Sequence, residues 1–534
     1  MALLAERPLI HAVAFARRAT WHPSRLTIVL ALQLATMTAL AAILGTWTDE
    51  EYTLTTTAHG VGYAIGRALG YEQQAPLYFV LIALLREIAP APFWARMFSV
   101  VCALGITASA AAITRRLAPS VASWAPAALV AFNPFVVFAA LEIRLYALAI
   151  LVSALLWLTF YDGFFWGESR RAQGAFAALA VAALYLEYFL ALELLGCAVA
   201  LLVAGRWRAL SAYVVAAAIS LGAFVPLLLV LQRQVTAAFS VPFSKPLPPR
   251  AVFLHPLLDF VIPNSYGGAA ATAWLLDAAL IVAVAVAIAI GRPRFGRRTV
   301  ALGALAASVE AIYAILVDVL HMQLVVPRHF VALFVPELAF AYAVVAGFAG
   351  VHAATARRTI GLCIALATAL SLVYTYRSLA KSGDWPRVGA WLETHARAAD
   401  TIAIYQADSV PPFERYYHGR ARVVGFPHPL HPKVYSVSRM IVHSKAEALR
   451  AFAALPQNGR LWFVAYDTCD WRDAYGCQEV AAVIRAHYRV VERRQFYLTT
   501  VERLVLSCKG RRKKTGGQRH PGFLRGPLQL STSA

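Results

Sequence analysis

Residues 26–45 run for a bilayer's width without one charged side chain, and stretches of the same kind recur as far as Tyr374. No other feature limits the chain so strongly. Backbone surrounded by hydrocarbon has to satisfy its own hydrogen bonds, so such stretches fold as helices. About 20 apolar residues cross the hydrocarbon core. Composition agrees: 60% of the 534 residues are hydrophobic and 14% are charged, against roughly a quarter charged in a soluble domain. The expected fold class is an α-helical polytopic membrane protein.

Charge orients the helices. The formal net charge of +21 would suit nucleic acid if it were gathered on one surface. It lies instead in short clusters between apolar runs, as the positive-inside rule distributes it, so no nucleic-acid partner is expected. Residues 1–25 carry Arg7, Arg17, Arg18 and Arg25, and no small-residue cleavage site follows Gly45. They read as a cytoplasmic N-terminus ahead of an uncleaved signal anchor. Laying down spans by length gives 26–45, 98–113, 121–138, 145–160, 175–185, 189–204, 210–231, 271–290, 300–320, 330–348 and 360–374, about eleven in all. Arg115-Arg116, Arg170-Arg171, Arg206, Arg208, Arg292, Arg294, Arg297, Arg298 and Arg357-Arg358 then fall on one side. Two long loops, 46–95 and 232–270, fall on the other. Within the first, 74–85 is apolar but too short to cross at about 1.5 Å per residue, and it reads as an interfacial helix. An extra span there would move Arg115-Arg116 to the wrong side.

Composition shifts at Arg377. Helix-like stretches at 387–398, 444–455 and 478–486 alternate with strand-like ones at 401–405, 422–426, 461–466, 488–495 and 498–506. That alternation predicts a small α/β domain over 377–508, outside the membrane if the span count is odd. No GxGxxG stretch points to dinucleotide binding. The six cysteines are scattered with no CxxC pair, which argues against a zinc or thioredoxin motif. Cys469 and Cys477 would suit a disulfide in an oxidising compartment. Residues 509–534 read as a basic disordered tail with Lys509, Arg511, Arg512, Lys513 and Lys514, suited to anionic lipid headgroups.

Where the first span meets water the sequence reads Thr46-Trp47-Thr48-Asp49-Glu50-Glu51-Tyr52. Acids there can simply favour the N-terminus of the next helix. They can also supply a catalytic base facing a lipid-borne substrate. Other membrane-edge features accompany them on the same side: Gln74-Ala75-Pro76-Leu77-Tyr78, Leu141-Glu142-Ile143-Arg144-Leu145-Tyr146 and Val326-Pro327-Arg328-His329. In order and sidedness these features resemble the polytopic GT-C glycosyltransferases. That group includes protein O-mannosyltransferases and bacterial enzymes moving sugars from polyprenyl phosphate onto lipid A or other envelope acceptors. Asp384-Trp385-Pro386-Arg387 resembles the Asp-Trp-Arg-like segment that often opens their C-terminal domain. The departures from the family pattern are Ala75, Leu141 and His329, and they leave the substrate open.

The resemblance implies a GT-C fold, a small C-terminal α/β periplasmic domain, an inner-membrane location, a polyprenyl phosphate-linked sugar donor as co-substrate and an envelope acceptor. No metal is implied, although Asp49, Glu50 and Glu142 could converge on one. A sugar on a lipid phosphate is activated because the phosphate leaves as an anion, and the attacking hydroxyl must lose a proton. A carboxylate within reach takes it. Asp49 is the candidate base, and one-step attack inverts the anomeric centre. Glu50 positions Asp49 or binds a sugar hydroxyl, whereas Glu51 reads as a solvated face. Glu142 is expected to hold acceptor or base, and Arg144 to hold base or phosphate; as a pair they also suit a turn cap. Arg328 suits bidentate phosphate binding or simple snorkelling, with His321 as a second contact. Gln74, Tyr78 and Glu187 complete the expected substrate-binding set. Glu310, Asp318 and Glu337 lie in or near spans, where acids can mark a proton path. They feed a rival reading, a transporter or flippase of lipid-linked precursors. A noncatalytic envelope assembly factor is a third.

Overall fold

The computed structural model describes residues 24–239, 270–320, 327–381, 383–431, 435–456, 459–466 and 475–507. The expected basic tail, His321, and Lys245, Arg250, His255 and Asp259 of the second loop lie outside them.

The chain is a layer of apolar helices with a small sheet at one end. α1 (Arg25–Ile43) starts where Ser24 accepts a hydrogen bond from the Thr27 amide, which satisfies one of the open donors of a helix start. α2 (Thr48–Thr56), α3 (Gly60–Arg67) and α4 (Leu77–Ile88) follow outside the spans. α4 has twelve residues, short of a crossing; it buries Tyr78, Phe79, Ile82 and Ala83. α5 (Pro92–Leu117) begins with proline in its first turn, where a missing N–H costs nothing. It packs against α1 and against α6 (Trp124–Ala131), α7 (Pro134–Ala140) and α8 (Tyr146–Phe160). The helical layer continues with α9 (Arg170–Leu186), α10 (Leu190–Val203), α11 (Trp207–Phe239), α12 (Ala270–Gly291), α13 (Arg297–Ala314), α14 (Val331–Ala346) and α15 (Ala353–Tyr376).

Among the described residues five helical stretches are long and apolar enough to cross a membrane: Arg25–Ile43, Pro92–Leu117, Tyr146–Phe165, Trp207–Val235 and Ala353–Tyr376. The stretch expected to be one span at 121–138 is instead two short helices, α6 and α7. Pro134 has no N–H to continue a ladder, and Asn133 starts α7 by accepting from the amides of Phe135 and Val136.

After α15 the chain forms α16 (Trp385–His395), β1 (Thr401–Tyr405), α17 (Val410–Tyr416), β2 (Arg422–Phe426), α18 (Lys445–Ala453), β3 (Leu461–Tyr466), α19 (Cys477–His487), β4 (Tyr488–Phe496) and β5 (Thr499–Leu506). The sheet order is β2-β1-β3-β5-β4. β1 runs parallel to β2 and β3, while β5 is antiparallel to β3 and β4. Strand residues alternate between two cores. Ala403 and Tyr405 meet α18 and α19, and Ile402 and Ile404 meet α16 and α17. Cys477 is disulfide-bonded, with its partner outside the described residues. The sheet unit meets α1 closely: a Cβ on Gly45 would lie 2.7 Å from the Pro386 Cγ, so only glycine lets the start of α16 rest there.

Candidate functional site

The residues joining α1 to α2 are fixed one after another. The Thr46 amide donates to the Tyr416 hydroxyl at 2.8 Å. The Trp47 indole N–H donates to Glu142 Oε2. The Thr48 hydroxyl lies 3.4 Å from that of Ser409. Glu50 is fully buried; Arg96 Nη2 reaches both its oxygens at 3.0 Å, Lys381 Nζ lies at 2.8 Å, and the Ile143 amide donates at 2.9 Å. Glu51 is held by Arg415, whose Nη2 donates to Oε2 at 2.7 Å. The solvated face expected for Glu51 is therefore corrected: 4% of the residue is exposed, because α17 docks on it.

Asp49 differs from these neighbours. Its side chain is 19% exposed, with Oδ2 3.3 Å from Arg328 Nη2, and Arg328 is itself 30% exposed. The Arg328 guanidinium also sits 5.6 Å from the Trp47 ring centroid. Arg144 supports Asp49 from behind. Its Nη1 donates to the Asp49 carbonyl at 3.3 Å and to the Thr53 hydroxyl at 3.2 Å, and it pairs with Glu72 at 3.4 Å. Arg144 is 5% exposed, so it orients the backbone of Asp49 from within the protein.

Electrostatics divide the acids. Burial works against the charge of Glu50, but Arg96 and Lys381 outweigh it and hold its carboxyl below the usual range. Burial pushes Glu142 up even though Lys381 lies 2.9 Å away. Burial likewise raises Glu72, with Arg144 opposing. After burial, the charge of Glu50 adds to the reluctance of Glu142 to ionise, and Lys381 opposes it.

The expected site residues thus divide by position. Asp49, Glu50, Glu142, Arg144 and Arg328 come together. Glu50 and Glu142 are enclosed, and they hold the segment that carries Asp49. Tyr78 is 1% exposed and packs on Phe79 and Phe98, which gives it no open face for a substrate. Gln74 is half-buried, with Oε1 enclosed and lacking a hydrogen bond. Glu187 caps its own turn, accepting from the Phe189 amide at 3.3 Å, and burial pushes its carboxyl up to about 7. Glu310 and Glu337 lie within α13 and α14 and form no ion pair among the described residues; the side chain of Asp318 is outside them.

Sequence reasoning missed Glu72, Arg96, Lys381, Asp408, Arg415 and Tyr416. Arg96 carried a signal, being a charged residue inside an otherwise apolar helix. Lys381 and Arg415 carried none, since their partners lie hundreds of residues away. Asp408 sits on the turn Ala407–Ser409 directly after β1. Burial and then the charge of Asp49 push its carboxyl up to about 7. Among the described residues no group of three His, Cys, Asp or Glu side chains is arranged to hold a metal.

No family model and no curated protein matches the sequence. Solved structures do match in shape. ArnT from Cupriavidus metallidurans in the apo state superposes with a TM-score of 0.51 at 15% identity, over 90% of this chain and 98% of that one. This chain has the GT-C fold. The form of ArnT bound to undecaprenyl phosphate gives the same TM-score at 13% identity, over 90% and 97%. An oligosaccharyltransferase from Archaeoglobus fulgidus follows at 0.44 and 12% identity, over 88% and 72%.

Proposed function

We propose that the chain is a membrane glycosyltransferase moving a sugar from a polyprenyl phosphate carrier to an envelope acceptor. One observation carries the reading. In the segment that joins α1 to α2, each neighbour of Asp49 is tied down by a partner, while Asp49 stays half-open beside an accessible arginine at the end of a membrane-spanning helix. Such an arrangement fixes a base in advance of the reaction.

The acceptor hydroxyl gives its proton to the Asp49 carboxylate while its oxygen bonds to the anomeric carbon. The bond from that carbon to the phosphate oxygen breaks, and its electron pair leaves with the polyprenyl phosphate. Attack from the opposite side inverts the centre. Arg328 lies where it can take the phosphate's growing charge, and its planar fork suits that group. Arg144 and Glu50 act as positioning residues. The undecaprenyl phosphate bound by ArnT supports a lipid phosphate here. The disulfide at Cys477 supports an oxidising compartment for the sheet unit, hence the periplasmic face of the inner membrane, with the N-terminus cytoplasmic.

The test is transfer from a panel of radiolabelled polyprenyl phosphate sugars to envelope extract by purified protein. Asp49→Asn is expected to lower the rate by about 10²–10⁴-fold, the range for a lost general base. Equal rates would remove Asp49 from that role. Uptake of the lipid-linked sugar into vesicles without transfer would favour the flippase instead.

A further inference from the structure

Asp384-Trp385-Pro386-Arg387 has no task in the chemistry above, yet it forms one wall of a cavity of about 150 Å³. Ile43, Gly45 and Thr46 at the end of α1 form a second wall, and Leu379, Ala380 and Lys381 after α15 form a third. Both helices are long and apolar enough to span, so the cavity lies at the membrane edge, against the sheet unit. Its rim is apolar and open: Ile43 is 57% exposed and Leu379 52%. Leu32 and Ile28, about three and four turns back along α1, are exposed on the same face. The polar lining is built. Arg387 Nε donates to Asp384 Oδ1 at 2.8 Å and Nη2 to the Ser378 carbonyl at 2.7 Å. These bonds fix the guanidinium while its side chain stays 54% exposed. Trp385 is 1% exposed, and its indole N–H is enclosed without a hydrogen-bond partner among the described residues. A buried donor left unpaired in a native fold calls for an explanation, such as a partner that arrives with a ligand. The first turn of α16 adds the positive end of a helix dipole. Lys381 adds no free donor, because Glu50, Glu142 and the Leu141 carbonyl take its three N–H groups.

The lining selects the ligand. A metal ion would find one carboxylate, already held by Arg387. A free anion would leave the open apolar rim unused. A glycerophospholipid uses both parts: its acyl chains follow the exposed face of α1, and its phosphodiester meets a guanidinium whose planar fork suits it. We propose that this cavity binds the headgroup of a glycerophospholipid from the leaflet beside the sheet unit. Arg387 holds the phosphodiester, and the Trp385 N–H is a donor for an ester or phosphate oxygen. Neither Asp49 nor Arg328 lines the cavity, so the proposal goes beyond the donor reading and stands without it. The lipid wedges between the end of α1 and the start of α16, next to the Thr46 and Lys381 contacts that set the base.

The experiment is native mass spectrometry of the full-length, delipidated protein in detergent. The probes are dioleoylphosphatidylglycerol, dioleoylglycerol (chains without phosphate) and glycerol 3-phosphate (phosphate without chains). Wild type is expected to bind one dioleoylphosphatidylglycerol about 10-fold tighter than dioleoylglycerol, the scale of one hydrogen bond to a charged group. Glycerol 3-phosphate should not displace it. Arg387→Gln should remove that preference and keep the wild-type melting temperature without lipid, which reports that it folds. Arg328→Gln should keep the preference. Equal binding of the two lipids by wild type overturns the site, because only an apolar surface would then be at work. Displacement by glycerol 3-phosphate overturns the choice of a lipid. A preference that survives Arg387→Gln but is lost in Arg328→Gln overturns the site as well, since the phospholipid would then occupy the proposed donor site. A lowered melt in Arg387→Gln with equal loss of both lipids also overturns it, because Arg387 would then act through the fold.

Discussion

Asp49 and Glu50 are adjacent acids with opposite environments, and the difference follows from their partners. Asp49 keeps one arginine at an open edge. Glu50 is surrounded by Arg96, Lys381 and a backbone amide, with no exposed surface. Removing one member of a buried ion pair typically costs about 3–5 kcal/mol, because the partner is left uncompensated. Glu50→Gln is therefore expected to lower Tm, and to lower kcat by displacing Asp49 while leaving the KM for donor nearly unchanged. Thermal melts and steady-state transfer check both parts; a raised KM with unchanged kcat would instead mean that Glu50 touches the donor. The acid cluster was legible in the sequence because three carboxylates stand at the end of an apolar run. The division of roles was not legible. Arg96 lies 46 residues from Glu50, and nothing local marks Lys381 as its second cation.

The same distinction holds for helices and strands. Runs that bury apolar side chains on one period were readable, and the five stretches expected as strands after Arg377 coincide with β1 to β5 to within a residue or so. The region 121–138 was readable as apolar but not as two helices, because hydropathy does not register a backbone break at Asn133-Pro134. The docking of α16 on the end of α1 was equally hidden, since it depends on the absence of one side chain. At Gly45 a Cβ would meet the Pro386 ring at 2.7 Å and 2.9 Å. Overpacking of this kind costs about 1–3 kcal/mol. Gly45→Ala is expected to lower Tm by a few degrees and to slow transfer, because Thr46 and Trp47 follow directly and lead to Asp49. An unchanged melt and rate would show that the two elements separate without consequence.

Across the whole molecule, the sheet unit clasps the helical layer through charge. Lys381 bridges Glu50 and Glu142 at 2.8 Å and 2.9 Å, Arg415 holds Glu51, and Tyr416 holds Thr46. These contacts surround Asp49, so the unit's absence would be felt at the proposed base as well as in stability. A chain ended after Arg377 keeps Arg96 on Glu50 but leaves Glu51 without its arginine and Glu142 without its lysine. Such a chain is expected to give an aggregated profile in size-exclusion chromatography and no transfer. Charge and packing can then be separated by adding Glu51→Gln and Glu142→Gln to the shortened chain. Neutral side chains at those positions avoid the penalty of buried, unpaired carboxylates. A partly restored monodisperse peak, still without transfer, is the expected outcome: the helices would stand alone once the charges are gone, while Asp49 would remain unplaced. No restoration would assign the clasp to apolar packing around Trp385 and Pro386, and recovered transfer would show that Asp49 is set by the membrane layer alone.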